Sequence, residues 1–114
     1  MGKLTPAPDW LTSLPITHRG YHDAQAGRAE NSMSAFSAAI EAGFAIECDV
    51  QVTAGGEPVV FHDTVLGRMI GVDGLVREKR PAELAKMRLL DTEDGIRLLK
   101  DHLDLVSVNV QVVI

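Results

Sequence analysis

Residues 45–52 read Ala45-Ile46-Glu47-Cys48-Asp49-Val50-Gln51-Val52. Successive side chains of a strand point to opposite faces, so sustained alternation of this kind marks one. Ile46, Cys48, Val50 and Val52 then share an apolar face, and Glu47, Asp49 and Gln51 share a polar one. An antiparallel surface strand carries the same pattern with its acids in water. A strand of an α/β sheet is covered on both faces. There the apolar side packs on helices and the carboxylates point into a barrel mouth. Two carboxylates in a partly dry mouth repel unless a cation lies between them, and hard oxygen donors suit Mg²⁺ or Ca²⁺. The spacing alone leaves both readings open.

The flanking sequence points to α/β. Upstream, Asn31 or Ser32 can cap a helix. Met33, Phe36 and Ile40 recur in it at helical spacing, and Gly43 is placed to end it. Before that helix, residues 14–17 form a short apolar strand ending near His18 and Arg19, with Gly20 next, and residues 21–30 are a polar loop. Downstream, Ala54-Gly55-Gly56 turns the chain and residues 58–62 read as extended. Residues 64–80 are loop-like, and Pro81 opens a helix to about Met87. After a turn over 91–95, residues 96–106 are spaced as a helix on Leu99, Leu103 and Val106, and a β-branched run closes the chain. Strand, helix, strand, extended arm, helix, helix, strand is the order of a parallel α/β sheet. Residues 1–13 are expected to be an irregular lead-in to one domain portion over 14–114.

Two histidines stand at ends of apolar extended segments: His18 in His18-Arg19-Gly20, and His62 in Val59-Val60-Phe61-His62-Asp63. An Arg at a strand end can grip a phosphate bidentately, and a His can move a proton near neutral pH. Each motif alone reads equally as a structural His beside a surface charge. Both flank the carboxylate strand, and α/β barrels gather their catalytic groups at the C-terminal ends of their strands.

The chain resembles the glycerophosphodiester phosphodiesterase family. The matching residues are His18-Arg19-Gly20, Glu30-Asn31-Ser32, Ala35-Phe36, Ala39, Gly43, Glu47-Cys48-Asp49-Val50, Thr53, Pro58-Val59-Val60 and His62-Asp63, in the family's order and spacing. The resemblance implies a TIM (β/α)₈ barrel, of which this chain supplies about the first three strands. It also implies metal-dependent hydrolysis of a small-molecule glycerophosphodiester to glycerol 3-phosphate and an alcohol. Glu47 and Asp49 would be ligands of a divalent metal, Mg²⁺ or Ca²⁺. His18 and His62 would be the general acid and base, and Arg19 would hold the phosphate. Glu30 and Asn31 would shape the loop over the site.

The family's pattern is not complete. Gly55 stands where an acid or Asn is common, and Arg97 where a Pro is common. The family's third metal ligand is a Glu late in strand three, followed two residues later by a Lys. It would fall just beyond Ile114, or in another register at Gln111. The alternatives are a truncated, non-catalytic remnant that binds phosphate weakly, and a related phospholipase- or sphingomyelinase-D-like barrel lyase. The Glu30-Asn31-Ser32 match disfavours the lyase.

Composition sets the outer bounds. The 114 residues are 46% hydrophobic and 24% charged, as in an ordinary globular domain. A net charge of −5 gives no footprint for nucleic acid. No apolar run approaches the roughly 18 residues of a membrane span, and the N-terminus does not read as a secretory signal. The one cysteine, Cys48, has no internal partner and fits a reducing, cytoplasmic setting. By parity Cys48 faces the helices as an inert buried thiol. His22 and His102 are expected to be exposed, and Trp10 to pack at the barrel foot.

Overall fold

The structure, a computed structural model, describes residues 16–20, 22–23, 27–106 and 112–114. The expected lead-in over 1–13, Trp10 and Gln111 lie outside these. Strands β1 (Ile16–His18), β2 (Ala45–Glu47) and β5 (Val112–Val113) form one parallel sheet in the order β1-β2-β5. The register sets Thr17 beside Ile46 and His18 beside Glu47, then Ile46 beside Val112 and Glu47 beside Val113. Residues paired across a sheet share a face, so His18, Glu47 and Val113 lie on one side, Ile46 and Val112 on the other.

Helix α1 (Met33–Ala42) crosses between β1 and β2. Ser32 Oγ accepts from Ala35 N at 3.0 Å, which satisfies one of the orphan donors at the helix start. Gly43 ends the helix at φ 72° and donates to the carbonyls of Ala39 and Ile40. α1 buries Ala35, Phe36 and Ala39. Phe36 and Ala39 pack with Ile46, Cys48, Val60 and Val106 of α4 (Leu99–Val106). The two helices therefore cover the Ile46 side of the sheet and leave the Glu47 side to the site.

The stretch 45–52 is not one strand. It breaks after Glu47, and β3 (Val50–Val52) pairs antiparallel with β4 (Pro58–Val60) in a separate hairpin. The break follows from a change of partners. Cys48 N still donates to Val113 O at 2.9 Å, but Asp49 N turns to the Asn31 side chain at 3.3 Å. The expected apolar face therefore fails beyond Cys48, and Val52 is 53% exposed.

Residues 64–80, expected as loop, hold a short helix α2 (Gly67–Ile70) and a 3₁₀ turn (Val76–Glu78). Leu66, Met69 and Val76 from this stretch anchor a second core with Phe61, Leu84 and Ile96. The Pro81 helix is α3 (Pro81–Lys86). The last helix starts at Leu99 rather than Ile96, because residues 96–98 run extended: Val60 N donates to Arg97 O at 3.0 Å, and Leu98 bridges Val59. His102, expected in solvent, is fully buried, with its ring edge-on to Phe36. The buried face of α4 carries His102 and Val106, while Leu103 is 41% exposed.

Candidate active site

His18 is the last residue of β1, and Arg19 follows it in the left-handed region at φ 59°. That conformation costs a non-glycine residue on the order of 1–3 kcal/mol and persists only where the surroundings enforce it. Here they do. Arg19 N donates to Glu47 Oε1 at 3.3 Å, and Arg19 O accepts from Asn31 N at 2.7 Å. Gly20 has φ 80°, and a Cβ there would meet Ala35 Cβ at 2.9 Å, so only glycine lets α1 approach the end of β1 so closely.

Glu47 ends β2, and its Oε2 lies 3.8 Å from His18 Nε2. Asp49 sits in the connection to β3. Asn31, 2% exposed, grips it reciprocally: its Nδ2 donates to Asp49 Oδ2 at 3.2 Å, and its Oδ1 accepts from Asp49 N. Arg19 Nε lies 3.2 Å from Asp49 Oδ2 as an ion pair, off line for a hydrogen bond. Arg19 Nη1 donates to Glu30 Oε2 at 2.9 Å.

His62 follows β4 and the buried Phe61. Its Nδ1 is 2.6 Å from Asp63 Oδ1, and its carbonyl accepts from Gln51 Nε2 at 2.8 Å. Arg68 of α2 completes the assembly. Its Nη1 and Nη2 donate to the two oxygens of Glu30, each at 2.8 Å. Its Nε and Nη2 donate to the two oxygens of Asp63, at 2.9 and 3.1 Å. One chain of alternating charge thus runs Asp49, Arg19, Glu30, Arg68, Asp63, with the His62 ring at its end. The hydrogen bonds from Arg68, with His62 next in weight, hold the Asp63 carboxyl down to about 2. Arg68 likewise keeps Glu30 below the usual carboxylate range against the opposing effect of burial.

Glu47 meets both His18 and Arg19, Arg19 meets Asp49, and His62 joins them through Asp63, Arg68 and Glu30. Arg68 was not visible in the sequence. It sits in the segment read as loop, and Glu30 is 38 residues away from it. Cys48 is a buried thiol, pushed up to about 11 by burial and then by the charges of Glu47 and Asp49, and is no nucleophile. His22 is exposed. Glu47 and Asp49 offer hard oxygens with side chains 30% and 26% exposed, the right donors for Mg²⁺ or Ca²⁺. Two carboxylates are fewer donors than either ion takes, and no third ligand joins them among the described residues. No helix is long and apolar enough to cross a membrane among these residues.

The profile of the Glycerophosphoryl diester phosphodiesterase family matches residues 18–114. A glycerophosphodiester phosphodiesterase of Bacillus altitudinis is 39% identical over 99 residues, covering 81% of this chain and 39% of its own. A probable glycerophosphodiester phosphodiesterase 1 of Mycobacterium tuberculosis is 33% identical over 104 residues, covering 89% of this chain and 37% of its own. Among solved structures, the Thermotoga maritima glycerophosphodiester phosphodiesterase superposes with a TM-score of 0.73 at 35% identity, over 87% of this chain and 41% of that one. An Oleispira antarctica phosphodiesterase in complex with its product sn-glycerol-3-phosphate gives 0.75 at 28% identity, over 90% and 44%. The chain spans less than half the length of each of these relatives. The parallel set β1-β2-β5 is accordingly part of a (β/α)₈ barrel. By the extent of these matches, the chain belongs to the glycerophosphoryl diester phosphodiesterase family.

Proposed function

We propose that this chain carries the His18, Arg19, Glu47, Asp49 and His62 part of a site that hydrolyses glycerophosphodiesters to glycerol 3-phosphate and an alcohol. The observation that carries the reading is the register setting His18 and Arg19 against Glu47 at the C-terminal ends of β1 and β2. The product held by the Oleispira relative is of the matching class. Arg19 binds the phosphate and offsets the charge that develops on its oxygens. One of His18 and His62 takes the proton of the glycerol hydroxyl beside the phosphate, whose oxygen bonds to phosphorus as the bond to the alcohol oxygen breaks, and the other protonates that departing oxygen; water then adds to the cyclic glycerol phosphate and opens it to glycerol 3-phosphate. Asp63 occupies Nδ1 of His62 and so leaves Nε2 to the substrate. Glu47 and Asp49 would hold Mg²⁺ or Ca²⁺, which supplies Lewis-acid neutralisation of phosphate charge when bound. A cytoplasmic enzyme of lipid metabolism fits this chemistry and the lone buried thiol.

The test is release of glycerol 3-phosphate from glycerophosphocholine by the full natural protein. Chelator is expected to abolish turnover. Glu47→Gln or Asp49→Asn should lower it by about 10–100-fold or more, with partial recovery in excess Mg²⁺ or Ca²⁺. Turnover that survives the chelator and both substitutions would refute the ligand assignment. The second reading is a non-catalytic phosphate binder. Val113 lies beside Glu47, and if Gln111 takes the third-ligand position, Val113 stands where the family has its Lys. Binding of glycerol 3-phosphate without any turnover would select that reading.

A further inference from the structure

We infer that Arg68 is a positioning residue of this site, orienting the His62 ring through Asp63 while Glu30 anchors Arg68 from the other side. The inference rests on the role proposed above for His62. The His62 side chain is 43% exposed, so packing alone does not fix its ring. Among the described residues its ring bonds to Asp63. The orientation of the imidazole is then only as definite as that of the Asp63 carboxylate. Both oxygens of Asp63 accept from Arg68, through Nε and Nη2, which fixes the carboxylate plane.

Arg68 is itself fixed. A guanidinium is a rigid planar fork with five donors. Here the Nη1 and Nη2 edge lies bidentate on Glu30. Glu30 is 12% exposed and also receives Arg19. The turn before α1, 38 residues away in sequence, meets helix α2 and the segment that follows β4 at this one side chain. An ionised Asp63 must accept from Nδ1, so the neutral ring keeps its proton there and its lone pair on Nε2, the arrangement a proton carrier needs. Lysine offers a point charge on a flexible stem and cannot reproduce the fork to two carboxylates at once.

The experiment measures glycerophosphocholine hydrolysis by the full natural protein as wild type, Arg68→Gln, Arg68→Lys, His62→Ala and the His62→Ala/Arg68→Gln double variant, with a thermal melt of each. Arg68→Gln should lower kcat about 10–100-fold and leave KM within about twofold, because it disturbs orientation and not substrate contact. Arg68→Lys should recover only part of kcat. In the His62→Ala background, Arg68→Gln should cost less than about twofold more, since residues that act through one another are not additive. Full kcat in Arg68→Gln beside a strongly impaired His62→Ala would overturn the role of Arg68 and leave the proposed function standing. An equal further loss in the His62→Ala background would overturn it too, by showing that Arg68 acts elsewhere. If Arg68→Gln does not fold, Arg68→Lys decides, and kcat within about twofold of wild type counts against the inference. Absence of wild-type turnover, or full activity in His62→Ala, removes the proposed function and this inference together.

Discussion

Replacing His102 by leucine should flatten the acid side of the stability curve. The ring is fully buried on α4 against Phe36, with centroids 4.3 Å apart. Neither ring nitrogen has a hydrogen-bond partner among the described residues. Burial, and then the charge of Arg97, push its pKa down to about 4 from an ordinary 6.5. Between those pH values the unfolded chain binds a proton that the folded chain refuses. The stabilisation is therefore complete above pH 6.5 and is lost as pH falls to about 4. At about 1.4 kcal/mol per pH unit, the interval costs the folded state roughly 3 kcal/mol. The depressed carboxylates Glu30 and Asp63 begin to lose their contribution only below their ordinary values of 4.5 and 3.8, so most of the window belongs to His102. His102→Leu removes the titration and also two desolvated nitrogens, so at pH 7 the variant should be no less stable than wild type. Urea unfolding of the full natural protein, followed by circular dichroism from pH 7.5 to about 4.5, gives both curves. The wild type should lose most of that roughly 3 kcal/mol relative to the variant across this range. Parallel curves for the two proteins would refute the reasoning, since they would mean that His102 takes up its proton in the folded state without penalty.

Two further outcomes are expected. Ser32→Ala removes the buried cap on α1 and should cost about 1 kcal/mol of stability, up to about 2; an unchanged urea midpoint with an unchanged slope would show that the Ala35 amide finds another acceptor. Residues 1–114 expressed alone should associate through the exposed edge of β5, whose Val112–Val113 backbone pairs only with β2 among the described strands, and should show no turnover; a monomer with a cooperative melt and metal-dependent hydrolysis would contradict this.

Local pattern carried the parts of the fold whose causes are local. Ser32 and Gly43 bound α1 because capping is settled by the residue at the cap and its immediate neighbours. Pro81 opens α3 for the same kind of reason. The burial of Cys48 followed from strand parity. His18-Arg19-Gly20, Glu47, Asp49 and His62-Asp63 were legible as a set because their spacing matches a family, although each alone was ambiguous.

The break after Glu47 was not legible, since alternation continues undisturbed through Val52. What ends the strand is the Asn31 side chain claiming Asp49, 18 residues away in sequence. His102 was misread because residue type was weighed above position. It lies three places after Leu99 and four before Val106, on the face that docks on α1, while Leu103 took the apolar role in the sequence reading and faces outward. Arg68 left no trace in the pattern of its own segment, because its meaning lies in Glu30 and Asp63, and only the packing of α2 against the turn before α1 joins the three. The sequence by itself determined the α/β class, the bounds of α1, the burial of Cys48 against the helices and the family, all of which depend on short-range chemistry or on motif spacing. Tertiary structure alone decided where β2 leaves the sheet, which face of α4 is buried and how His62 is tied to Arg19, because each is a contact between groups far apart along the chain.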